Sequence, residues 1–305
     1  MMATTAATAM AMAGDEQRSG KIDVLEDRYV LGALLGAGAM GEVYAAHDIV
    51  LGIEVAVKMM YAKDVSSPDR VARFTYEASI GTRMMSPHIT KVLGVAVTLG
   101  GIPCIVYELL EGETLAARIA RTGTLSVAET AEIVKQTARA LARVHAVGVV
   151  HRDVKPDNIF LTRDLAGRLL VKLLDFGIAE RMQPEARAEL IGTPAYMPPE
   201  VLFGDSPLDP RADLYALGVV AFECLTGTTP IRGAVHEIFA ALRAGRRPSL
   251  RQALPSASRE LDAWTDRALH SDPFWRFASA KEMLAGLECA LTPKRAAKVS
   301  YRRAA

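Results

Sequence analysis

Cysteine is scarce: there are three in 305 residues. Cys104, Cys224 and Cys289 are odd in number, far apart and never arranged as CxxC, which argues against a disulfide framework and against a thiolate zinc site. A reducing, cytoplasmic setting is the expectation. Long apolar runs are missing too, since nothing approaches the roughly 18 residues that a spanning helix needs and the best candidate, 214–225, contains Glu223. No excess of either charge exists: 36 Lys and Arg stand against 35 Asp and Glu, a formal +1, so the overall balance draws the chain neither to nucleic acid nor to an acidic membrane. The Ala-, Thr- and Met-rich start has no basic segment ahead of it, and Lys21 comes after it, so no secretory leader is expected. No repeat period is present.

What the chain does have is a globular composition, 50% hydrophobic and 23% charged. Its length suits two modest domains or one large bilobal one. Residues 1–27 read as a flexible tail, and a different texture begins at Arg28-Tyr29. From there to Tyr107, short β-branched runs (42–45, 54–58, 91–97 and 102–107) are separated by glycine-bearing turns and predict antiparallel strands. One helix is predicted among them over 69–85, after Ser66-Ser67-Pro68. Past Glu111-Gly112 the periodicity becomes helical, over 126–145, 209–226, 235–244 and 258–269, often after a Ser or Asp cap. A small β-rich lobe and a larger helical lobe, joined near 108–112, would leave a cleft suited to a ligand. Residues 291–305 are basic, with no acid among them.

Gly36-Ala37-Gly38-Ala39-Met40-Gly41 is a GxGxxG run followed by a strand, not by the helix that a dinucleotide-binding unit requires. A glycine hairpin lets backbone N–H groups approach phosphate oxygens, although an ordinary tight turn has the same composition. Val55-Ala56-Val57-Lys58 carries one lysine into the proposed cleft, where it needs an anionic partner, and Glu77 on the small-lobe helix can supply one. His151-Arg152-Asp153-Val154-Lys155-Pro156-Asp157-Asn158 brings a base, cations and a carboxamide close together, and Asp175-Phe176-Gly177 follows a second apolar run. An Asn and an Asp delivered to one place form the oxygen donor set that Mg²⁺ takes beside nucleotide phosphates.

Gly36–Val43, Val55–Lys58, Glu77, His151–Asn158, Asp175–Gly177 and Gly192–Glu200, in that order, resemble the signature set of the protein kinases. The resemblance is specifically to the eukaryotic-like serine/threonine kinases of bacteria. It implies an α+β, bilobal kinase-like fold with a small antiparallel β-rich N-lobe holding one main helix, and a larger, mostly α-helical C-lobe. The domain is then expected over 28–290, with its N-lobe at about 28–107, hinge at about 108–112 and C-lobe at about 113–290. The implied activity is transfer of the ATP γ-phosphate to Ser or Thr hydroxyls of protein substrates in signalling, with Mg²⁺, or Mn²⁺ in its place, as cofactor and no nucleic-acid partner. Lys58, oriented by Glu77, would hold the α- and β-phosphates, Asp175 and Asn158 would ligate the metal, Asp153 would act as base, and Lys155 would face the γ-phosphate. Leu35, Gly36, Gly38, Gly41, Val43, Ala56, Tyr107, Glu108, Leu110 and Phe160 complete the implied nucleotide site. Of these, Val43 and Ala56 would cover the adenine, the backbone of Glu108–Leu110 would bond its edge, and Tyr107 would close the back of the pocket. Asp213 resembles the helix aspartate that supports the catalytic loop, and Arg276 resembles the arginine that pairs with Glu200.

The match has departures. Residues 178–191 contain no Ser, Thr or Tyr, so nothing there can be phosphorylated. Arg152 would then take Glu185 or Glu189 as a permanent negative partner, unless those acids are merely solvated. Thr193 remains a hydroxyl beside the site. Gly81 stands where the family usually places a bulky apolar residue, and it is expected to leave a gap and a less firmly docked helix unless Ile80 or Met84 fills the space. Arg243, Arg246, Arg247 and Arg251 form either an acidic-partner patch or a solvated helix end. A fold kept as a scaffold without turnover would typically lack the lysine, the base or the metal aspartate, and Lys58, Asp153 and Asp175 are all present.

Overall fold

The computed structural model describes residues 24–38, 40–175, 180–181, 193–204 and 209–292. The two acids proposed to face Arg152, Glu185 and Glu189, and Phe176-Gly177 lie outside them.

The first half builds a six-stranded antiparallel sheet from β1 (Val24–Leu25), β2 (Tyr29–Ala37), β3 (Gly41–Asp48), β4 (Ile53–Met60), β5 (Val92–Val97) and β6 (Pro103–Glu108), in the order β1-β2-β3-β4-β6-β5. β1 falls inside the stretch 1–27 expected to be a flexible tail, and corrects that boundary: it pairs with β2, and its Leu25 is buried in the lobe core with Tyr29, Val55 and Val57, which need an apolar cover on that side. Between β4 and β5 runs α1 (Pro68–Arg83), with proline in its first turn as the sequence predicts. Its Phe74 and Ala78 pack on the sheet with Met60, Val92 and Ile105. Ile80 and Met84 instead join the core of the other lobe.

Beyond the hinge come β7 (Glu113–Thr114), α2 (Leu115–Thr122), α3 (Val127–Ala146), β8 (Val149–Val150), β9 (Ile159–Arg163), β10 (Leu169–Leu173) and β11 (Glu180–Arg181). Helices α4 (Pro199–Phe203), α5 (Arg211–Thr226), α6 (Val235–Arg243), α7 (Leu250–Ala253), α8 (Arg259–Ala268) and α9 (Ala280–Leu291) complete the lobe. Ser126, Ser258 and Ser279 accept a backbone N–H at the starts of α3, α8 and α9, the caps expected of these residues. α5 is buried nearly all round, as befits a helix apolar on every face, and it forms the lobe's centre against α3 and α8. The short elements α2, α4 and α7 carry too little periodicity to be read in advance.

Residues 88–90 stitch the lobes together. The Leu173 N–H donates to the His88 carbonyl at 2.9 Å, and the Thr90 N–H returns to the Leu173 carbonyl at 3.1 Å. The end of β10 is thereby held beside the N-lobe, which brings Asp175 within reach of β4.

Candidate active site

The glycine run forms the turn between β2 and β3, where the Gly38 N–H donates to the Gly41 carbonyl at 2.8 Å. Gly41 meets a demand from within the sheet: a Cβ there would lie 2.1 Å from the Met59 carbonyl oxygen on β4. A Cβ on Gly38 would meet only the Gly41 carbonyl oxygen, at 3.9 Å, so that position is under no such constraint. Val43 pairs with Lys58 across β3 and β4, and Ala56 lies opposite Tyr107 across β4 and β6, so Val43, Ala56 and Tyr107 come from neighbouring strands. Leu35 sits on β2 next to Gly36, which pairs with Val43. Phe160, on β9, contributes from the other lobe.

Lys58 is 7% exposed. Its Nζ lies 2.9 Å from both carboxylate oxygens of Glu77 and 2.7 Å from Oδ1 of Asp175. Burial by itself would drive the ammonium to lose its proton, but Asp175 and Glu77 reverse this and hold Lys58 above the ordinary lysine range. Helix α1 is docked, and Gly81 makes that docking closer: a Cβ on it would fall 2.2 Å from Cγ2 of Val92 on β5. The expected gap is absent because Val92 occupies it, while Ile80 and Met84 point into the other core.

Pairing of Ile159 with Leu173 in the β9–β10 hairpin places Asn158 and Asp175 at the same end of the two strands, although they are distant in sequence. The Leu174 N–H closes this end on the Asn158 carbonyl at 2.8 Å. Asn158 Nδ2 donates to the Asp153 carbonyl at 2.9 Å and to its Oδ2 at 2.8 Å, which leaves the carboxamide oxygen facing away from Asp153. Lys155 Nζ bonds both Asp153 oxygens, at 3.0 and 2.7 Å. Two non-glycine residues of the site, Arg152 (φ 68°) and Asp175 (φ 53°), adopt the left-handed conformation, a strain that surrounding contacts must hold.

Asp213, at the start of α5 and 1% exposed, supplies that hold at Arg152. It accepts the backbone N–H groups of His151 at 2.9 Å and Arg152 at 2.8 Å, and it also pairs with His145 Nε2 at 2.8 Å. Burial resists its ionisation, but His145, His151 and these amides keep its carboxyl below the usual range. Glu200 and Arg276 form a buried two-bond pair at 2.6 and 2.7 Å, with the guanidinium over the Tyr215 ring. Thr193, Tyr196, Met197 and Val201 line a cavity with Arg152, Asp153 and Asp213.

Three contacts escaped the sequence reading. His145 has no motif around it. Lys172, on β10, bonds the hinge Glu108 at 2.6 Å, although it looks in sequence like an ordinary strand lysine. The Tyr107 hydroxyl donates to Glu77 Oε1.

A two-lobed molecule with a paired strand lysine, a buried helix glutamate and a loop aspartate ringed by Lys and Asn defines a class, and comparison agrees. The protein kinase domain family matches residues 29–286, and the chain belongs to it. Among curated proteins it is 37% identical to a probable serine/threonine-protein kinase of Streptomyces coelicolor, over 88% of this chain and 40% of that one. It is 38% identical to the serine/threonine-protein kinase PknB of Mycobacterium leprae, over 86% and 43%, and 38% identical to Pkn1 of Myxococcus xanthus, over 84% and 37%. The chain thus spans about two fifths of the length of these relatives. Among solved structures, the Mycobacterium tuberculosis PknI kinase domain superposes with a TM-score of 0.69 at 28% identity, over 89% of this chain and all of that one. The bilobal α+β fold expected from the motifs is the fold found.

Proposed function

We propose that the chain is an ATP-dependent serine/threonine protein kinase, with the domain over about 28–290. The observation that carries this reading is the joining of two clusters, Lys58–Glu77–Asp175 and Asp153–Lys155–Asn158, at the mouth between the lobes. Phosphoryl transfer asks a protein mainly for positioning and charge, and these side chains supply both.

Lys58 presents a permanent positive charge to the α- and β-phosphates, and Glu77 fixes its direction. The backbone of Glu108–Leu110 offers the adenine edge its hydrogen bonds, with Val43, Ala56, Leu35 and Phe160 against the ring. Asp153 takes the proton of the acceptor hydroxyl as that oxygen bonds to the γ-phosphorus and the bond to ADP breaks. Lys155, already on Asp153, reaches the same phosphate and favours Ser or Thr as acceptor.

Mg²⁺, or Mn²⁺ in its place, fits the donors present: one carboxylate from Asp175 and one carboxamide from Asn158, the sparse oxygen set used when phosphates and water complete the shell. Among the described residues no group of three His, Cys, Asp or Glu side chains could hold a metal alone, so the ion is expected to arrive with the nucleotide. When bound, it neutralises charge on the phosphates. No helix among the described residues is long and apolar enough to cross a membrane.

The test is incubation of the purified chain with Mg²⁺, γ-labelled ATP and a generic basic protein, with phosphosites mapped by mass spectrometry. Label on Ser or Thr that Asp153→Asn and Asp175→Ala both abolish is expected. Nucleotide binding without transfer under any of these conditions would replace the kinase reading with a binding scaffold.

A further inference from the structure

Tyr107 stands at the end of β6, opposite Ala56 on β4 and Val92 on β5. Its ring packs with Phe74, Ala78, Val92 and Ile105, and a phenylalanine would serve that packing equally well. The hydroxyl is what packing does not explain. It donates to Oε1 of Glu77, the same oxygen that Lys58 holds at 2.9 Å. Two strands thus grip one carboxylate from two sides, β4 through an ammonium and β6 through a phenol. Glu77 is 1% exposed, so swinging α1 away would leave the Tyr107 hydroxyl without this acceptor and Lys58 with Asp175 alone.

The position of the helix makes this grip reachable. Gly81 lies one turn after Glu77 on the same face, and it lets α1 sit against Val92, the strand neighbour of Tyr107. Gly81, Val92, Tyr107, Glu77 and Lys58 form one continuous contact. Burial and the neighbouring carboxylate push the phenol well above its ordinary range, so it stays a proton donor across the working pH. Residues 178–191 contain no Ser, Thr or Tyr, so no phosphate on them can take part in seating this helix.

We propose that Tyr107 is a positioning residue whose hydroxyl holds Glu77 against Lys58, and that with Gly81 it seats helix α1 within the N-lobe itself, without a phosphate on residues 178–191. This rests on the kinase reading above for its catalytic consequence, but its structural part does not.

Tyr107→Phe separates the hydroxyl from the ring. Hydrogen exchange over residues 68–83, which needs no turnover, is expected to speed up in Y107F. Its kcat/KM for Mg-ATP is expected to fall roughly tenfold, about the weight of one charge-assisted hydrogen bond, with KM for the protein acceptor unchanged. On an E77Q background the same substitution should add little, because the hydroxyl acts through that carboxylate. Unchanged exchange in Y107F, or a loss of kcat/KM fully additive with E77Q, overturns the proposal. A parent chain that transfers no phosphate overturns the kinase reading instead, and exchange over α1 still decides whether Tyr107 holds the helix.

Discussion

Gly81 illustrates how one residue changes meaning between sequence and structure. As a helix-interior glycine it costs about 1 kcal/mol against alanine. In the folded molecule the missing side chain lets α1 touch β5, since any Cβ would fall 2.2 Å from Val92 Cγ2. Gly81→Leu is therefore expected to destabilise by about 1–2 kcal/mol, the overpacking strain exceeding the gain in propensity, and to raise KM for Mg-ATP by displacing Glu77. Urea unfolding and nucleotide titration check both parts. Shrinking Val92 to Ala in the same chain should recover much of the loss, whereas a G81L chain as stable as its parent would mean that β5 yields without strain. Tyr107 belongs to the same contact and is equally opaque in sequence: a strand-end aromatic is ordinary, and only the docked helix brings a carboxylate to its hydroxyl.

At the scale of elements, turns and hairpins decide which side chains meet. The turn between β3 and β4 is organised by Asp48, which holds Arg28 through three side-chain bonds of 2.7–3.0 Å and accepts the N–H groups of Val50 and Leu51. The Arg28 guanidinium brings its carboxyl down to about 2 from an ordinary 3.8. A lowered folded pKa contributes stability above the unfolded value, and this is lost as pH falls through the folded one. Asp48→Asn is thus expected to lower the thermal midpoint at neutral pH, and the difference from the parent should shrink between about pH 4 and pH 2. A gap that stays constant over that window would mean the carboxylate charge plays no part. The β9–β10 hairpin acts at the same scale. Its apolar strands were readable, but the register that sets Asn158 beside Asp175 comes from strand pairing and from the stitch at 88–90.

Across the whole molecule, buried ions tie distant segments together. Arg276, 2% exposed, lies in the loop between α8 and α9 and clasps Glu200 of α4, with further bonds to the carbonyls of His270 and Ser271. Removing one partner of such a pair leaves a buried charge uncompensated, so Arg276→Met is expected to cost about 3–5 kcal/mol in urea unfolding. Replacing Glu200 by Met as well should return part of that, because two apolar groups carry no desolvation penalty. If the double variant is no more stable than the single, the loss lies in packing around Tyr215 rather than in the stranded carboxylate.

The division into a strand-rich and a helical lobe, the helices α1, α3, α5, α6 and α8 but not α9, and Lys58, Glu77, Asp153, Asn158 and Asp175 as the residues to watch were determined by the chain itself, because periodicity, caps and short motifs are local. Only tertiary structure decided that Gly81 closes a contact instead of opening a gap, that His145 joins the Asp213 network, that Lys172 reaches the hinge, and that Tyr107 shares a carboxylate oxygen with Lys58. Each of these depends on two segments meeting across a sheet or between lobes, and the distance at which they meet is set by packing that no local pattern encodes.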